Sequence, residues 1–494
     1  MKTLAKLFAV SLFLLAPRLL CAQSQELTIS PADRAYHLSR LWSEMKYNFV
    51  NLDQIKFDAD SLYRAFLDEA LDATSDDDYL RMLTRFMAAF GDGHTEFYAR
   101  AEQPIIGKKD YVPLGLDFYG EKLYITHVRQ APNLEKKWLG AEVLKIEGVS
   151  VERYLEDTIF PYISASTKQH RLMQAYPKIV YQDKNKPLCM EIRQRDGKIK
   201  TISVQRNGEA TRKIDDKNWG LTTRTPNRAV EYYQFDGGFS YMMIRSFRER
   251  NIPEIAKHVS EINKSKGLII DMRYNGGGST DVAWYLQSLL TPVGVDTILN
   301  FAWQTRVNDG VKKANSNWKE EYKSYYNYTA VRSEEPYKVA ISDTIERIKV
   351  PVVILIGRYT FSAAEDFLVN MYEVPGRPMF IGSETGGSTG SPLVIDGLPH
   401  GSIARICTRR VCYPYSRKPF VNKGVTPDLE VTETIDDYLK LCELKLPPLI
   451  SLAQIDDAAM LERVNREQYE YYKMLLSHDV VVKAAVKELK KLVK

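Results

Sequence analysis

A single serine stands where the sequence changes from a strand pattern to a helix pattern. The apolar run 351–357 is rich in β-branched residues and ends in glycine, which predicts a buried strand. Helix-forming residues begin at Ala363, so Ser362 is expected at a helix start, where backbone N–H groups lack partners within the helix. Those donors and the helix dipole stabilise an oxyanion, which suits a nucleophile. The pattern alone also fits an ordinary N-cap serine.

Two glycine-rich loops follow other strand patterns. The buried-strand pattern 267–271 leads into three consecutive glycines, Gly276 to Gly278, and a second strand pattern leads into the loop 385–388. Consecutive glycines let the backbone approach a ligand closely and direct N–H groups toward it. The two loops therefore predict a place where the main chain contacts a substrate.

Three motifs together resemble the serine peptidases that include the C-terminal processing proteases and the tricorn core protease. The D-L-R-x-N-x-G-G, T-x-S-A-x-E and G-x-x-P-D-x-x-V motifs of that family correspond to residues 271–278, 360–365 and 424–431. The resemblance implies that Ser362 is the nucleophile of a serine peptidase. It also implies an α/β fold with a mixed or largely parallel sheet of the ClpP/crotonase-like type, and no metal or organic cofactor.

The base that activates the serine cannot be the lysine of the processing proteases. The position of that lysine falls on Ser388, and no lysine occurs from Arg358 to Arg417. The tricorn-like branch instead uses a histidine in a D-G-H context, which corresponds to His94. Histidine titrates near neutral pH and suits a general base. His400 is the rival candidate, although its Leu-Pro-His-Gly context predicts a turn residue.

The accessory groups of the site are less determined by the sequence. The tricorn-like pattern has a serine before the histidine, where this chain has Gly93, and Ser388 is the candidate replacement. An acid should orient the histidine, and we rank Glu384 above Asp428, which a Pro-Asp turn also explains.

The oxyanion donors are expected to be backbone N–H groups close to the nucleophile. The candidates are Ala363, which directly follows Ser362, and either Gly276 or Gly277 of the first glycine loop.

The chain divides by pattern into four regions after a leader. These are an N-terminal helical segment (25–100) that ends in the histidine loop, a PDZ-like β-rich domain (110–206), the catalytic α/β core (229–445) and a C-terminal helical extension (446–494). Residues 140–151 are similar to a recurrent PDZ pattern, and Leu114, Gly115 and Leu116 lie where such domains bind a terminal carboxylate. PDZ domains add an extended peptide as a strand, so these residues are predicted to bind substrate; the alternative is a domain that only spaces or gates the site.

Residues 1–22 have the basic start, apolar centre and small terminal residue of a secretory signal. The interpretation favours export to the periplasm or beyond over a lipid anchor at Cys21, and no later segment is apolar enough to span a bilayer. A net charge of +5 over 494 residues does not indicate a nucleic-acid-binding surface. The partner that the family resemblance implies is a peptide or protein. Pairing among Cys189, Cys407, Cys412 and Cys442 stays open, as does the oligomeric state.

Two other functions remain open at this point. One is a peptide- or ligand-binding protein on the same fold with a decayed site, because the family lysine and the serine before the histidine are absent. The other is a non-peptidase acyl hydrolase that uses the same nucleophile.

Overall fold

The computed structural model describes residues 27–99, 109–207, 218–221, 228–235, 237–307, 331–446 and 458–493. The predicted signal peptide, residues 1–22, and Cys21 lie outside the described residues. Within the described ranges, no helix has the length and apolar character needed to cross a membrane.

Three helices open the described chain, as the helical spacing of apolar residues predicts. They are α1 (Pro31–Asn48), α2 (Ala59–Asp72) and α3 (Asp76–Ala88). The residues before them, Ser30, Asp58 and Ser75, accept hydrogen bonds from first-turn N–H groups through their side chains. Their apolar faces pack into one core, and α3 leads directly into the loop that carries His94.

The second region is a β-rich unit with inserted helices. Its elements are β2 (Lys109–Tyr111), β3 (Leu114–Tyr119), β4 (Lys122–Arg129), β5 (Glu142–Ile146), β6 (Val149–Ser150), α4 (Val151–Tyr154), α5 (Lys168–Val180), β7 (Tyr181–Asp183), β8 (Leu188–Arg193), β9 (Ile199–Val204) and β10 (Asn218–Gly220). The main sheet has the order β10-β4-β5-β8-β9, with β3 paired to β4 and β6 to β5. Strand β10 joins this sheet although it lies beyond residue 206, the predicted end of the domain.

The third region is built on a six-stranded sheet. Its strands are β11 (Val230–Phe235), β12 (Phe239–Ile244), β13 (Gly267–Asp271), β18 (Val352–Ile356), β19 (Met379–Gly382) and β23 (Leu429–Glu430). They lie in the order β11-β12-β13-β18-β19-β23, and every pair after β11–β12 is parallel. Strands buried on both faces account for the continuous apolar runs of the sequence.

Helices cover both faces of this sheet, so the α/β prediction is confirmed. On one face lie α6 (Ile252–Ala256), α7 (Val259–Ile262), α8 (Thr280–Leu290) and α9 (Ala363–Tyr372). The other face packs against α11 (Ala458–His478) and α12 (Val480–Leu492), while α10 (Ile435–Cys442) follows β23. The carboxyl ends of β13, β18 and β19 face β3 and α5 of the β-rich unit across a cavity.

Of three small sheets, the first joins the N-terminal segment to the core and the other two lie within the core. They are β1-β21-β20, β16-β15-β22 and β14-β17, with β1 (Glu96–Tyr98), β14 (Thr297–Leu299), β15 (Ala302–Arg306), β16 (Val331–Glu334), β17 (Lys338–Ala340), β20 (Pro392–Ile395), β21 (Ile403–Cys407) and β22 (Arg409–Cys412). Strand β1 follows the His94 loop directly and pairs with β21 of the core. The four cysteines of the described chain are free thiols.

Candidate active site

Ser362 lies between β18 and α9, at the N-cap position of the helix. Its backbone has φ +58° and ψ −131°, a region that non-glycine residues rarely adopt, and such strain is concentrated at functional sites. Its N–H donates to the Ser388 carbonyl (3.2 Å) and to Glu365 Oε2 (3.3 Å). The helix-cap and nucleophile interpretations therefore describe one residue, whose backbone starts the helix and whose hydroxyl lies outside it.

The structure brings His94 to Ser362. The Nε2 atom of His94 lies 2.9 Å from Ser362 Oγ, and Nδ1 lies 2.9 Å from Ser388 Oγ. For Nε2 to accept the Ser362 proton, Nδ1 must carry the hydrogen and donate it to Ser388. Burial lowers the pKa of His94 to about 3, so the imidazole is neutral at physiological pH.

Asp92 fixes the loop that carries His94 through hydrogen bonds. One carboxylate oxygen, Oδ1, accepts the His94 backbone N–H (2.9 Å) and the Thr95 hydroxyl (3.0 Å), while Oδ2 accepts from Asn51 Nδ2 (3.1 Å). Thr95 in turn accepts the backbone N–H of Cys407 in β21 (3.1 Å). Asp92 thus holds the main chain of the histidine and does not contact its ring nitrogens.

Ser388 occupies the place expected for an accessory group of the histidine, and Glu384 does not. The Glu384 side chain is exposed at the end of β19, while Ser388 is fully buried beyond the turn that follows. Among the described residues no carboxylate bonds to the His94 ring. The prediction that Glu384 orients His94 is therefore wrong, because the loop turns between residues 384 and 388 and carries only the serine inward.

The two rival residues have other partners. Asp428 accepts from Arg377 Nη2 (2.9 Å) and from the backbone N–H of Phe380 (2.7 Å), so it fixes the turn before β23. His400 lies 2.9 Å from Asp76 Oδ2 at the surface of the N-terminal helices. Neither side chain reaches Ser362.

The first glycine loop contacts the nucleophile directly. A Cβ on Gly277, whose φ is +89°, would lie 2.6 Å from the Phe361 carbonyl and 2.7 Å from Ser362 Cβ. The Gly277 N–H is already bonded to Asn275 Oδ1 at 2.9 Å. Within the described part of the chain, the N–H groups of Gly276 and Ala363 donate to no acceptor. Of the predicted oxyanion donors, Gly276 and Ala363 therefore have N–H groups available, while that of Gly277 is occupied.

Helix α5 of the β-rich unit closes over the same loops, which sequence reasoning missed. Thr167 Oγ1 donates to the Gly386 carbonyl (2.8 Å) and Gln169 Nε2 to the Thr385 carbonyl (2.9 Å). The backbone N–H of Gly93, beside His94, donates to Ser166 Oγ (3.0 Å). No motif marks these polar residues, because their importance lies only in contacts with loops far away in the sequence.

The predicted substrate-binding residues Leu114, Gly115 and Leu116 lie on β3. The two leucine side chains are buried in the core of the β-rich unit, so any peptide contact at this strand would be through its backbone. At the far end of the strand, Arg358 Nη1 donates to the Phe118 carbonyl at 2.9 Å.

A cavity of 800 Å³ lies where β3 and α5 face the carboxyl ends of the core strands. Its lining includes Tyr176, Tyr274, Arg358, Tyr359 and Glu384, but neither Ser362 nor His94. The described residues contain no group of three His, Cys, Asp or Glu side chains arranged to hold a metal ion.

Residues 238–431 match the family model of peptidase family S41. The chain contains a peptidase S41 domain. It is a serine-type peptidase, whose family acts on peptides or proteins. The matched residues include both glycine loops and Ser362, while His94 and the β-rich unit precede them.

Among solved structures, this chain is similar to CPAF. Mature CPAF has a TM-score of 0.64 at 13% identity, with 93% of this chain and 98% of that chain covered. Mature CPAF complexed with lactacystin has a TM-score of 0.60 at 14% identity, with 84% and 97% covered. At this identity the likeness shows the fold. No curated protein matches the sequence.

Proposed function

We propose that this S41 peptidase is an exported endopeptidase of the carboxyl-terminal processing type, in which Ser362 is the nucleophile and His94 the general base. The observation that carries the proposal is the 2.9 Å approach of His94 Nε2 to Ser362 Oγ. That distance is within the reach required for proton transfer between a base and a nucleophile.

The reaction would proceed through an acyl-enzyme. Ser362 Oγ attacks the scissile carbonyl while its proton passes to His94 Nε2, and the carbonyl oxygen becomes an oxyanion. The N–H groups of Gly276 and Ala363 are available to bind that oxyanion. His94 then gives the proton to the leaving amine, and water attacks the ester by the reverse route.

The buried position of His94 favours the return of the proton from the imidazolium to the leaving group. An imidazolium in this desolvated site is unfavourable, as the lowered pKa of about 3 indicates, so the proton passes on readily to the leaving group. While the imidazolium exists, the negative charge of the tetrahedral oxyanion lies in the same water-poor site and stabilises it.

The β-rich unit would act as a PDZ-like domain that presents the substrate. Strand β3 pairs with β4 on one edge and faces α5 on the other, which is the arrangement that accepts an added strand. The leader of residues 1–22 supports export, and N-terminal sequencing of the protein recovered outside the cytoplasm tests it.

A serine-reactive fluorophosphonate probe tests the nucleophile. We expect labelling of the wild type, no labelling of Ser362→Ala, and loss of labelling and peptide turnover in His94→Ala. His400→Ala is the matched control, and it should keep both. Labelling that survives Ser362→Ala, or a loss confined to His400→Ala, would contradict the assignment.

Peptide substrates separate the processing activity from its alternatives. A peptide with a free C-terminal carboxylate should be cleaved faster than its C-terminal amide. Ester hydrolysis without cleavage of any peptide would instead favour a non-peptidase acyl hydrolase. A folded protein that takes up no probe would favour a binding protein.

A further inference from the structure

Glu365 lies in the first turn of α9 and is fully buried. Its Oε1 atom accepts from the Thr385 hydroxyl and from the Gly387 N–H (2.7 Å). Its Oε2 atom accepts from the Ser388 N–H (3.0 Å) and the Ser362 N–H (3.3 Å). One carboxylate therefore joins the nucleophile to the second glycine loop.

All four partners can donate to the carboxyl group, which favours its ionised form. Three are backbone N–H groups. The fourth, the Thr385 hydroxyl, accepts the Val425 N–H at 2.7 Å and donates its own hydrogen to Glu365. A protonated carboxyl would lose one of these acceptor positions, whereas an ionised one accepts from all four partners.

We propose that the ionised Glu365 carboxylate is a positioning residue of the catalytic site, which holds Ser388 against His94 and fixes the backbone of Ser362. This inference rests on the proposed function, because it concerns the alignment of the Ser362–His94 pair. Glu365 acts through the loop 385–388 and does not contact the reacting atoms.

The surroundings of Glu365 make its ionisation sensitive to pH. Burial raises its pKa to about 8, against the lowering effect of the four hydrogen bonds. The titratable groups nearest to it are Asp366 on the same helix, Tyr413 after β22, and His94 beyond Ser388. Among the described residues no cation contacts Glu365. The four hydrogen-bond donors are therefore the groups that stabilise its ionised form.

The test is the pH profile of kcat for Glu365→Gln. In the wild type, kcat should fall as pH falls through about 8, where Glu365 gains its proton. Glutamine keeps the shape of the side chain but turns an NH₂ group toward the donors. We therefore expect kcat to drop about 100-fold, the cost of a misplaced catalytic group. The fall of kcat at acid pH, which we call the acid limb, should disappear. KM should change little.

Asp366→Asn is the matched control, because Asp366 is an equally buried neighbour that accepts from Thr389 Oγ1 (2.8 Å) and Thr280 Oγ1 (3.3 Å). The asparagine keeps an acceptor for Thr389, and Thr280 can accept from its amide. This variant should keep the acid limb. A folded Glu365→Gln protein with wild-type kcat and an unchanged limb overturns the proposal.

Thr385→Val provides a second test that leaves the carboxylate in place. Loss of the hydroxyl removes a hydrogen bond that favours the ionised form, so the acid limb should move to higher pH. Thr385→Ser should restore it. An unmoved limb in Thr385→Val overturns the proposal even if Glu365→Gln does not fold. Failure of the proposed function is distinct, since Ser362→Ala would then remain active.

Discussion

The Phe361 ring stacks face to face on the His94 ring, with centroids 4.7 Å apart and planes within 7°. The Phe361 ring also contacts His170 of α5, with ring centroids 4.4 Å apart and planes tilted by 30°. The residue that precedes Ser362 therefore packs against the proposed base, and a residue of the β-rich unit packs against that residue in turn.

Phe361→Leu should lower kcat about 5-fold, because an aromatic stack is worth about 1 kcal/mol beyond the area it buries. The His94 ring would lose the aromatic ring on which it stacks, while leucine keeps an apolar surface at position 361. Steady-state kinetics on a cleavable peptide measure the effect. Phe367→Leu is the matched control: Phe367 lies in α9, shortly after Ser362, and is fully buried in the core of the sheet. Equal losses of kcat in both variants would show that only stability is involved.

Gly277→Ala should abolish most turnover, because its Cβ would lie within 2.8 Å of three atoms, in Phe361, Ser362 and Ala363. The added atom must displace the nucleophile or the proposed oxyanion donor. Gly294 has nearly the same φ, +91°, with nothing within 4 Å of its Cβ site. Gly294→Ala should thus cost about 1 kcal/mol of stability and leave kcat unchanged. Similar kinetics in the two variants would contradict a role for the close approach of Gly277.

Ser388→Ala should lower kcat about 10- to 100-fold, because the His94 Nδ1–H would lose its buried acceptor, at a cost of about 1–3 kcal/mol. Probe labelling rates and kcat measure the loss. Ser383→Ala, half-buried in the same loop and on the cavity side, is the control and should behave as the wild type. A fully active Ser388→Ala enzyme would mean that another group orients the histidine.

His170 should make the fold sensitive to acid. Burial lowers the pKa of His170 from 6.5 to about 4. As pH falls, the imidazole therefore takes up its proton at a higher pH in the unfolded chain than in the folded protein. Its contribution to stability is complete above pH 6.5 and is lost toward pH 4, by about 1.4 kcal/mol per pH unit. Relative to the wild type, His170→Leu should therefore gain about 3 kcal/mol in the free energy of unfolding between pH 6.5 and 4.

Urea unfolding of wild type and His170→Leu at several pH values measures that difference. The comparison is needed because the raised pKa values of Glu365 and Asp366 act in the opposite direction, and they cancel between the two proteins. Parallel stability curves would show that His170 takes its proton in the folded state.

The sequence predicts those parts of the site that depend on local structure. A strand that ends at Gly357 and a helix that begins at Ala363 leave Ser362 between them, whatever the rest of the fold. Periodicity also predicts the N-terminal helices, since their apolar faces repeat at helical spacing.

The choice between Glu384 and Ser388 could not be made from the sequence. It depends on how the intervening loop turns, and the contacts that fix this turn come from Glu365 and from Thr167 of another domain. The support of His94 by Phe361 and His170 was missed for the same reason. Contacts between distant segments leave no spacing pattern behind.

The contacts of α5 have a consequence for how the enzyme is made. The loop of His94, the 166–170 segment and the turn of Ser362 come from three separated stretches of the chain, and each is bonded to another. A chain still emerging from the ribosome has a histidine without a serine, and a fragment of the core has a serine without a base. If Ser362 and His94 act as proposed, peptide cleavage therefore requires all three stretches to have folded together.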